Sequence, residues 1–241
     1  MKSDKLQNPL LFDLMGEGAD YQNKVALKHI TLKIHRGEKI ALMGPSGAGK
    51  TTLLRLLFEK SQLPLNDYRN VSNGVAFVDQ HYALVPQLSV LHNVYMGRLD
   101  RNSTFFNLRN LIRPHKTVLT EIEPILTALN MDQQINQTTG TLSGGQQQRT
   151  AIARAMYRGG NLLLADEPVS SIDVQQAGAI LDLLCQSAET IVMSLHNVDF
   201  AMKYALRIIG LRQGEILFDQ PASHVTSTIL DRLYNPSPPR N

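Results

Sequence analysis

The residues best suited to chemistry in this chain lie in a glycine-rich stretch that ends in a lysine and two threonines. Glycines let successive backbone N–H groups point inward at an anion, where a Cβ would intrude. An apolar strand pattern precedes the stretch and a leucine-rich helical pattern follows it, which is the context of a phosphate-binding loop. We expect the loop to bind the phosphates of ATP with Gly44, Pro45, Ser46, Gly47, Ala48, Gly49, Lys50, Thr51 and Thr52.

Two side chains of this loop have distinct expected roles. Lys50 would neutralise the charge of the β- and γ-phosphates, and the hydroxyl of Thr51 would ligate Mg²⁺. A second motif, of the Walker B type, is the apolar strand 162–165, which ends in Asp166 and Glu167. A strand end in an open α/β sheet faces the ligand crevice, so Asp166 is predicted to hold Mg²⁺ and Glu167 to act as general base.

A second motif with glycines at the predicted N-terminus of a helix occurs at residues 142–149, Leu-Ser-Gly-Gly-Gln-Gln-Gln-Arg. One nucleotide does not need two phosphate-binding helix N-termini from the same chain. We therefore expect the second one to cap the γ-phosphate of a nucleotide bound by another copy of the protein. The residues that would do so are Ser143, Gly144, Gly145 and Gln146; as a lone sequence, Ser-Gly-Gly would be no more than a flexible turn.

Hydrophobic periodicity predicts alternating strands and helices around these motifs. Segments 30–34 and 39–43 alternate around a turn at 36–38, which predicts a hairpin, and segments 207–211 and 215–218 predict another around Gln213-Gly214. From about 82 to 157 strand patterns give way to helical spacing. The sequence thus indicates an α/β core with a helical insertion.

Composition narrows the class of protein further. The 241 residues are 43% hydrophobic and 19% charged, which is enough apolar material for one compact core. The formal net charge of +3 is too small to indicate nucleic acid binding, for which a clustered basic face is needed. The sequence has no run of about 18 apolar residues and no secretory signal pattern. Any work at a membrane is therefore expected to pass through a partner.

In combination, the three motifs resemble the nucleotide-binding subunit of ABC transporters, and the resemblance covers essentially the whole chain. It implies a P-loop NTPase (RecA-like) core sheet, an N-terminal antiparallel β subdomain and an inserted α-helical subdomain. The implied single ABC ATPase domain spans 8–241, with 8–81 and 158–235 as the α/β core and β subdomain. Residues 82–157 would form the helical subdomain and 236–241 a frayed tail.

The resemblance also implies roles for residues outside the three motifs. Gln80 matches the Q-loop glutamine, which touches Mg²⁺ and the attacking water, and His196 matches the switch histidine that contacts the γ-phosphate. Asp173 matches the D-loop aspartate that approaches the dimer partner, and the same residue could cap the following helix. Tyr21 matches the aromatic residue that stacks on adenine.

Segment 80–94 is similar to the Q-loop stretch of importer ATPases, and segments 96–99, 166–173 and 194–199 are similar to phosphonate-importer ATPases in particular. The partners implied are a second copy of the chain, integral membrane permease subunits and, indirectly, a substrate-binding protein, without nucleic acid. The implied location is peripheral, on the cytoplasmic face of the inner membrane. Asp79 departs from the family pattern, which usually has Phe before the Q-loop glutamine.

Other systems remain open at this stage. An exporter or lipoprotein-release ATPase is the main alternative, and a soluble ABC ATPase acting on DNA or ribosomes is a more distant one. The segment 98–116 carries five basic residues and one acid. We interpret it as a solvated loop; contact with lipid headgroups or nucleic acid is the alternative.

Overall fold

The computed structural model describes residues 8–21, 24–62 and 74–235. Eight strands occur in this part of the chain: β1 (Leu10–Tyr21), β2 (Lys24–His35), β3 (Lys39–Met43), β4 (Val75–Val78), β5 (Leu162–Asp166), β6 (Thr190–Ser194), β7 (Arg207–Arg212) and β8 (Glu215–Pro221). The eight α-helices described are α1 (Lys50–Gln62), α2 (Val90–Tyr95), α3 (Thr104–Ile112), α4 (Lys116–Ala128), α5 (Gly144–Arg158), α6 (Val174–Ser187), α7 (Val198–Tyr204) and α8 (Ser227–Tyr234). Short 3₁₀ helices cover Met96–Arg101, Asp132–Gln134, Thr139–Thr141 and Ala222–His224.

The main sheet has six strands in the order β4-β5-β6-β3-β7-β8, and all neighbours are parallel except β7 and β8. Strands β5 and β6 are buried at every position, as expected for parallel strands covered on both faces. This is the α/β fold of P-loop NTPases that the sequence predicted. The carboxyl ends of β3, β5 and β6 meet at one edge, where ligands bind in open α/β sheets.

Strands β1 and β2 form a separate antiparallel sheet of two strands. The predicted hairpin between β2 and β3 is therefore wrong, because β2 pairs with β1 while β3 lies between β6 and β7. The turn between them redirects the chain: Arg36 N–H donates to Pro9 O (2.8 Å), and Gly37 N–H donates to Thr190 Oγ1 (2.9 Å). The second predicted hairpin, β7 with β8, is confirmed.

Helices α2 to α5 lie between β4 and β5 in the sequence and form the predicted helical insertion. Buried Asn93 organises its start: Nδ2 donates to Val85 O (3.1 Å), and Oδ1 accepts from Val85 N–H (2.8 Å). The expectation of a loop at 98–116 is wrong, since α3 occupies much of this segment. The subdomain boundaries at 82 and 157 stay predictions, and the proposed tail 236–241 lies outside the described residues.

In the described ranges, no helix is long and apolar enough to cross a bilayer.

Candidate functional site

The glycine-rich loop joins the end of β3 to the start of α1 in a conformation that other residues could not adopt. Gly44 has φ +146°, and a Cβ there would stand 2.1 Å from Leu211 O. Gly49 has φ +105°, and its Cβ would come within 2.8 Å of Ala26 O. These close approaches by neighbouring backbone explain why glycine is needed at both positions. The loop thereby leads directly into the N-terminus of α1, a site favourable to anions.

Lys50, the first residue of α1, folds back over the loop that precedes it. Its ammonium group donates to Gly44 O (2.7 Å) and to Pro45 O (3.1 Å), and the residue is buried. Burial lowers the pKa of Lys50, while the carboxylates of Glu167 and Asp166 act in the opposite direction. Lys50 therefore holds the loop open and brings a positive charge to its centre.

Two acidic residues stand at the carboxyl end of β5, Asp166 as its last residue and Glu167 directly after it, and their environments differ. Asp166 is buried; its Oδ1 accepts from Ser194 Oγ (2.6 Å), whereas its Oδ2 is buried without a hydrogen-bond partner. Glu167 has a positive φ of +49°, and its N–H donates to the same Ser194 Oγ (2.8 Å). A non-glycine residue at positive φ is costly and needs surrounding structure to hold it. Ser194 supplies part of that structure and was not identified from the sequence.

The unpaired Oδ2 of Asp166 is relevant to whether this site can bind Mg²⁺. A buried carboxylate oxygen without a partner costs free energy unless it binds a cation or a donor. Carboxylate and hydroxyl oxygens are ligands that Mg²⁺ prefers. The donor set at this edge of the sheet therefore fits Mg²⁺.

The carboxylate of Glu167 faces His196, the second residue after β6. His196 Nε2 donates to Glu167 Oε1 at 2.5 Å. The Glu167 side chain is 16% exposed and that of His196 is 46% exposed, so the pair lies where the site opens to solvent. The structure thus brings together two of the three residues predicted to be catalytic.

An open pocket of about 380 Å³ surrounds the glycine-rich loop and brings in the third, Gln80. Its described lining is Ala26, Ser46, Gly47, Ala48, Gly49, Lys50, Thr51, Thr52, Arg55, Gln80, His81 and Glu167. Loop residues, the Gln80 amide and the Glu167 carboxylate therefore share one cavity. Among these lining residues, none belongs to the predicted γ-phosphate cap at 143–146.

That cap forms the N-terminus of α5, away from the pocket. Ser143 Oγ accepts from Gln146 N–H (3.3 Å), and Ser143 N–H donates to Gln146 Oε1 (2.9 Å), a capping box. A Cβ on Gly145 would come within 3.0 Å of Ser171 O, so this helix start packs against the segment after β5. Ser143–Gln146, which we call the signature residues, are thus preformed, and none of them lines the pocket around the loop of their own chain.

Gln148 connects α5 to the acidic end of β5, a contact that sequence reasoning missed. Its Nε2 donates to Glu167 O (2.8 Å), and its Oε1 accepts from Ser171 N–H (2.9 Å). The residue is 1% exposed. One buried amide therefore links the helix that begins with the signature residues to the backbone of Glu167.

The remaining predicted site residues are placed as follows. Asp173 is exposed and caps α6, since its Oδ1 accepts from Gln176 N–H at 3.0 Å. Tyr21 is the last residue of β1, but its side chain lies outside what the structure describes. Asp79, the departure before Gln80, accepts from Arg55 Nη2 (3.4 Å) and from His81 N–H (2.9 Å). Asp79 therefore stabilises the turn that follows β4.

This turn is also bound to α5. Tyr82 and Ala83 have positive φ values of +61° and +45°. Arg154 of α5 donates to both carbonyl oxygens, with Nη2 2.7 Å from Tyr82 O and Nη1 2.6 Å from Ala83 O. The strained backbone after Gln80 is held in place by the helical insertion.

Sequence comparisons find that the chain is similar to ATP-binding proteins of ABC transporters. The family described as "ABC transporter" matches residues 27–170. A relative named "Phosphonates import ATP-binding protein PhnC" from Rhizobium johnstonii is 35% identical over 93% of this chain and 86% of its own length. Another, "Phosphonates import ATP-binding protein PhnC 3" from Halalkalibacterium halodurans, is 37% identical over 86% of this chain and 87% of its own length.

Solved structures of ABC transporter cassettes have a fold similar to that of this chain. The dimeric structure of a bacterial ABC transporter cassette is similar with a TM-score of 0.73 and 26% identity, covering 87% of this chain and 98% of that chain. A post-hydrolysis state of the ATP-binding cassette, bound to ADP and Pi, is similar with a TM-score of 0.69 over the same shares.

The parallel sheet, the phosphate-binding loop and the acids after β5 define a P-loop ATPase that binds ATP. Within that class, the chain belongs to the ABC transporter family.

The Gln148 contact leads to a first prediction. Replacing Gln148 by Leu leaves Glu167 O and Ser171 N–H without their buried partner. This change should lower the free energy of unfolding by about 1–3 kcal/mol. Since Gln148 does not line the pocket, we expect ATP affinity to stay the same and kcat for ATP hydrolysis to fall about tenfold. Steady-state phosphate release and equilibrium ATP binding measure the two effects separately.

The matched control is Gln176→Leu, which removes an amide contact between α5 and α6 without touching Glu167. Gln176 Oε1 accepts from Arg149 Nη1 at 2.7 Å, in an exposed position. Exposed contacts of this kind are worth about 1 kcal/mol or less, so turnover should stay within about twofold. An unchanged kcat in Gln148→Leu would refute a positioning role.

Proposed function

We propose that this chain is the ATP-hydrolysing, energy-coupling subunit of an importer for phosphonates or related phosphorus oxyanions. The observation that carries the proposal is its 35% identity, over 93% of the chain, to a relative named as a phosphonates import ATP-binding protein. The substrate class rests on this likeness. The hydrolytic roles rest on the geometry of the site.

In the proposed reaction, Glu167 is the general base that accepts a proton from the attacking water. Its backbone is fixed by Ser194 and Gln148, and its carboxylate is oriented by the hydrogen bond from His196. We propose that His196, which reaches the site through its hydrogen bond to Glu167, contacts the γ-phosphate, and that Gln80, which lines the pocket, orients the water. Positioned proton transfer of this kind contributes about 10²–10⁴-fold in rate.

The proposed ligands of Mg²⁺ are Thr51 and Gln80, which line the pocket, and Asp166, with its free buried oxygen. When bound, Mg²⁺ neutralises charge on the β- and γ-phosphates. Asp166 is oriented by the hydroxyl of Ser194, and Lys50 supplies the second positive charge.

We further propose that two copies bind two ATP molecules between them. The signature residues Ser143–Gln146 do not reach the pocket of their own chain but are preformed to bind an anion. Asp173 is exposed, as a contact with a partner requires, and follows two residues after Ser171, which packs against Gly145. A solved relative is described as a dimeric ABC transporter cassette, which supports the same arrangement here.

The proposed membrane partners are permease subunits, which would place the chain peripherally on the cytoplasmic face of the inner membrane. A short permease helix would seat near Tyr82, Leu84, Val85 and Leu88 and follow the motion of the helical insertion. A substrate-binding protein would contact the permease and not this chain. Tyr21 is proposed to stack on adenine from the end of β1.

Growth of the host organism tests the substrate class. In cells whose chromosomal copy carries Glu167→Gln, we expect growth on inorganic phosphate and none with a simple alkylphosphonate as sole phosphorus source. The control is Met15→Ser, a change at an exposed position of β1, which should support growth on both sources. Affinity purification of the tagged chain from detergent-solubilised membranes should bring a polytopic permease with it.

Growth of the Glu167→Gln strain on the phosphonate would refute phosphonate import by this chain. Loss of growth on both sources would indicate a different cargo. Recovery of the tagged chain with ribosomes or DNA, and without a membrane protein, would leave the ATPase assignment intact and refute the transporter assignment.

A further inference from the structure

Helix α3 presents large apolar side chains to solvent. Phe105 is 80% exposed, Leu108 is 58% exposed and Ile112 is 82% exposed. Their spacing of three and four residues places them on one side of the helix, and exposed Leu111 lies next to them. An ordinary surface helix turns such a stripe towards the core, so this orientation is the reverse of the usual one.

The inward side of α3 carries two asparagines beside the partly buried Phe106, and their contacts fix the orientation. Asn110 is 1% exposed and accepts from His115 N–H at 2.7 Å. Asn107 accepts from Tyr95 Oη (2.7 Å) and donates to Leu99 O (2.9 Å). Because these hydrogen bonds hold the asparagines against the helical insertion, the apolar side chains are held outward.

The charged residues of α3 and of the segments directly next to it are basic. Residues 101–120 include four basic residues and no acid. The nearest acids on either side are engaged: Asp100 pairs with Arg158 (2.7 Å), and Glu121 pairs with Arg98 (2.6 Å). The exposed basic side chains beside the apolar stripe are Arg109, Arg113 and Lys116.

We propose that this surface docks on an anionic lipid bilayer. The α3 surface is defined as Phe105, Leu108, Leu111, Ile112, Arg109, Arg113 and Lys116. An apolar stripe edged by basic residues matches an interfacial helix, whose apolar side enters the acyl boundary while its cations meet anionic headgroups. Nucleic acid would satisfy the cations and leave the apolar stripe in water. The proposal does not depend on which substrate the importer carries.

Vesicle sedimentation of the purified full-length protein tests this proposal. We expect it to bind mixed vesicles of phosphatidylcholine and anionic phosphatidylglycerol, and to bind vesicles of phosphatidylcholine alone at least about tenfold more weakly. Raising the ionic strength to about 1 M shortens the Debye length to about 3 Å and should release much of the bound protein.

Two variants separate the apolar and charged contributions. The double change Phe105→Ser and Ile112→Ser should weaken binding to mixed vesicles at least about tenfold, since it removes the most exposed apolar groups. Arg109→Gln with Arg113→Gln should weaken it to a similar extent and reduce its salt dependence. Met15→Ser, a matched exposed apolar residue on β1, should bind like the wild type, and all three proteins should hydrolyse ATP normally.

Other outcomes would overturn the proposal. Equal binding of wild type and the double serine variant to mixed vesicles would show that α3 is not the contact. Absence of vesicle binding, combined with loss of a co-purified membrane protein in the double serine variant, would assign the surface to a protein partner. Equal binding to neutral and anionic vesicles would remove the role of the basic residues.

Discussion

Replacement of Glu167 by Gln is expected to leave ATP bound and to reduce its hydrolysis about 10²–10⁴-fold. The amide has nearly the shape of the carboxylate, so the contact with His196 and the backbone bonds to Ser194 and Gln148 can persist. It cannot accept the proton of the attacking water. With ATP held and not consumed, the protein should accumulate as a closed dimer.

Single-turnover phosphate release and sedimentation velocity in the presence of ATP measure these two results. Glu189→Gln is the matched control, because Glu189 pairs with Arg36 at 2.7 Å on an exposed part of the fold. It should hydrolyse ATP at the wild-type rate and stay monomeric at the same protein concentration once ATP is consumed. Turnover in Glu167→Gln close to that of the control would contradict the assignment of the general base.

Replacement of Lys50 by Ala is expected to weaken ATP binding about a hundredfold or more. The change removes the ammonium group that lies against the loop and its two hydrogen bonds to Gly44 O and Pro45 O. Hydrogen bonds involving a charged group are worth about 1.5–3 kcal/mol each, and a factor of one hundred corresponds to about 2.8 kcal/mol. Calorimetric titration with ATP measures the loss directly.

Lys60→Ala provides the comparison within the same helix. Lys60 is in the last turn of α1 and pairs with Glu17 at 2.6 Å, far along the helix from the loop. ATP affinity should stay the same in this variant. If Lys50→Ala bound ATP within about threefold of the wild type, the phosphate-binding role of Lys50 would be wrong.

The phosphate-binding loop and the acids after β5 could be predicted because each is a run of consecutive residues. Glycines at 44, 47 and 49 all have positive φ, a requirement of the loop backbone itself, whereas the close approaches of Leu211 O and Ala26 O come from distant segments. Walker B acids follow an apolar strand whose burial is visible in its composition. Motifs of this kind can be predicted from consecutive residues alone, without knowing how the rest of the chain folds.

Pairing of strands could not be predicted in the same way. Alternation in 30–34 and 39–43 correctly indicates strands, but the partner of each strand depends on distant segments: β1 for one, β6 and β7 for the other. Residue patterns did not predict strand β1, which was covered only by the N-terminal antiparallel β subdomain that the resemblance implied. Gly16 and Gly18 interrupt its pattern, and its register with β2 shifts at several points.

The supporting residues of the site were missed for a related reason. Ser194 contacts Asp166 across 28 residues of sequence, and Gln148 contacts Glu167 across 19. A serine at the end of an apolar strand and a glutamine inside a helix are both unremarkable as local patterns. Only the alignment of β5 beside β6, and of α5 against the segment after β5, makes them part of the site.

The bonds from Lys50 to Gly44 O and Pro45 O also bear on the speed of nucleotide capture. They hold the loop in its anion-binding shape through the protein's own atoms, so an arriving nucleotide has little backbone left to order. The entropy of arranging this segment is lost when the chain folds and not when ATP arrives. We therefore expect ATP association to be governed by diffusion and electrostatic attraction, with the slower steps of the proposed cycle at dimer closure and opening.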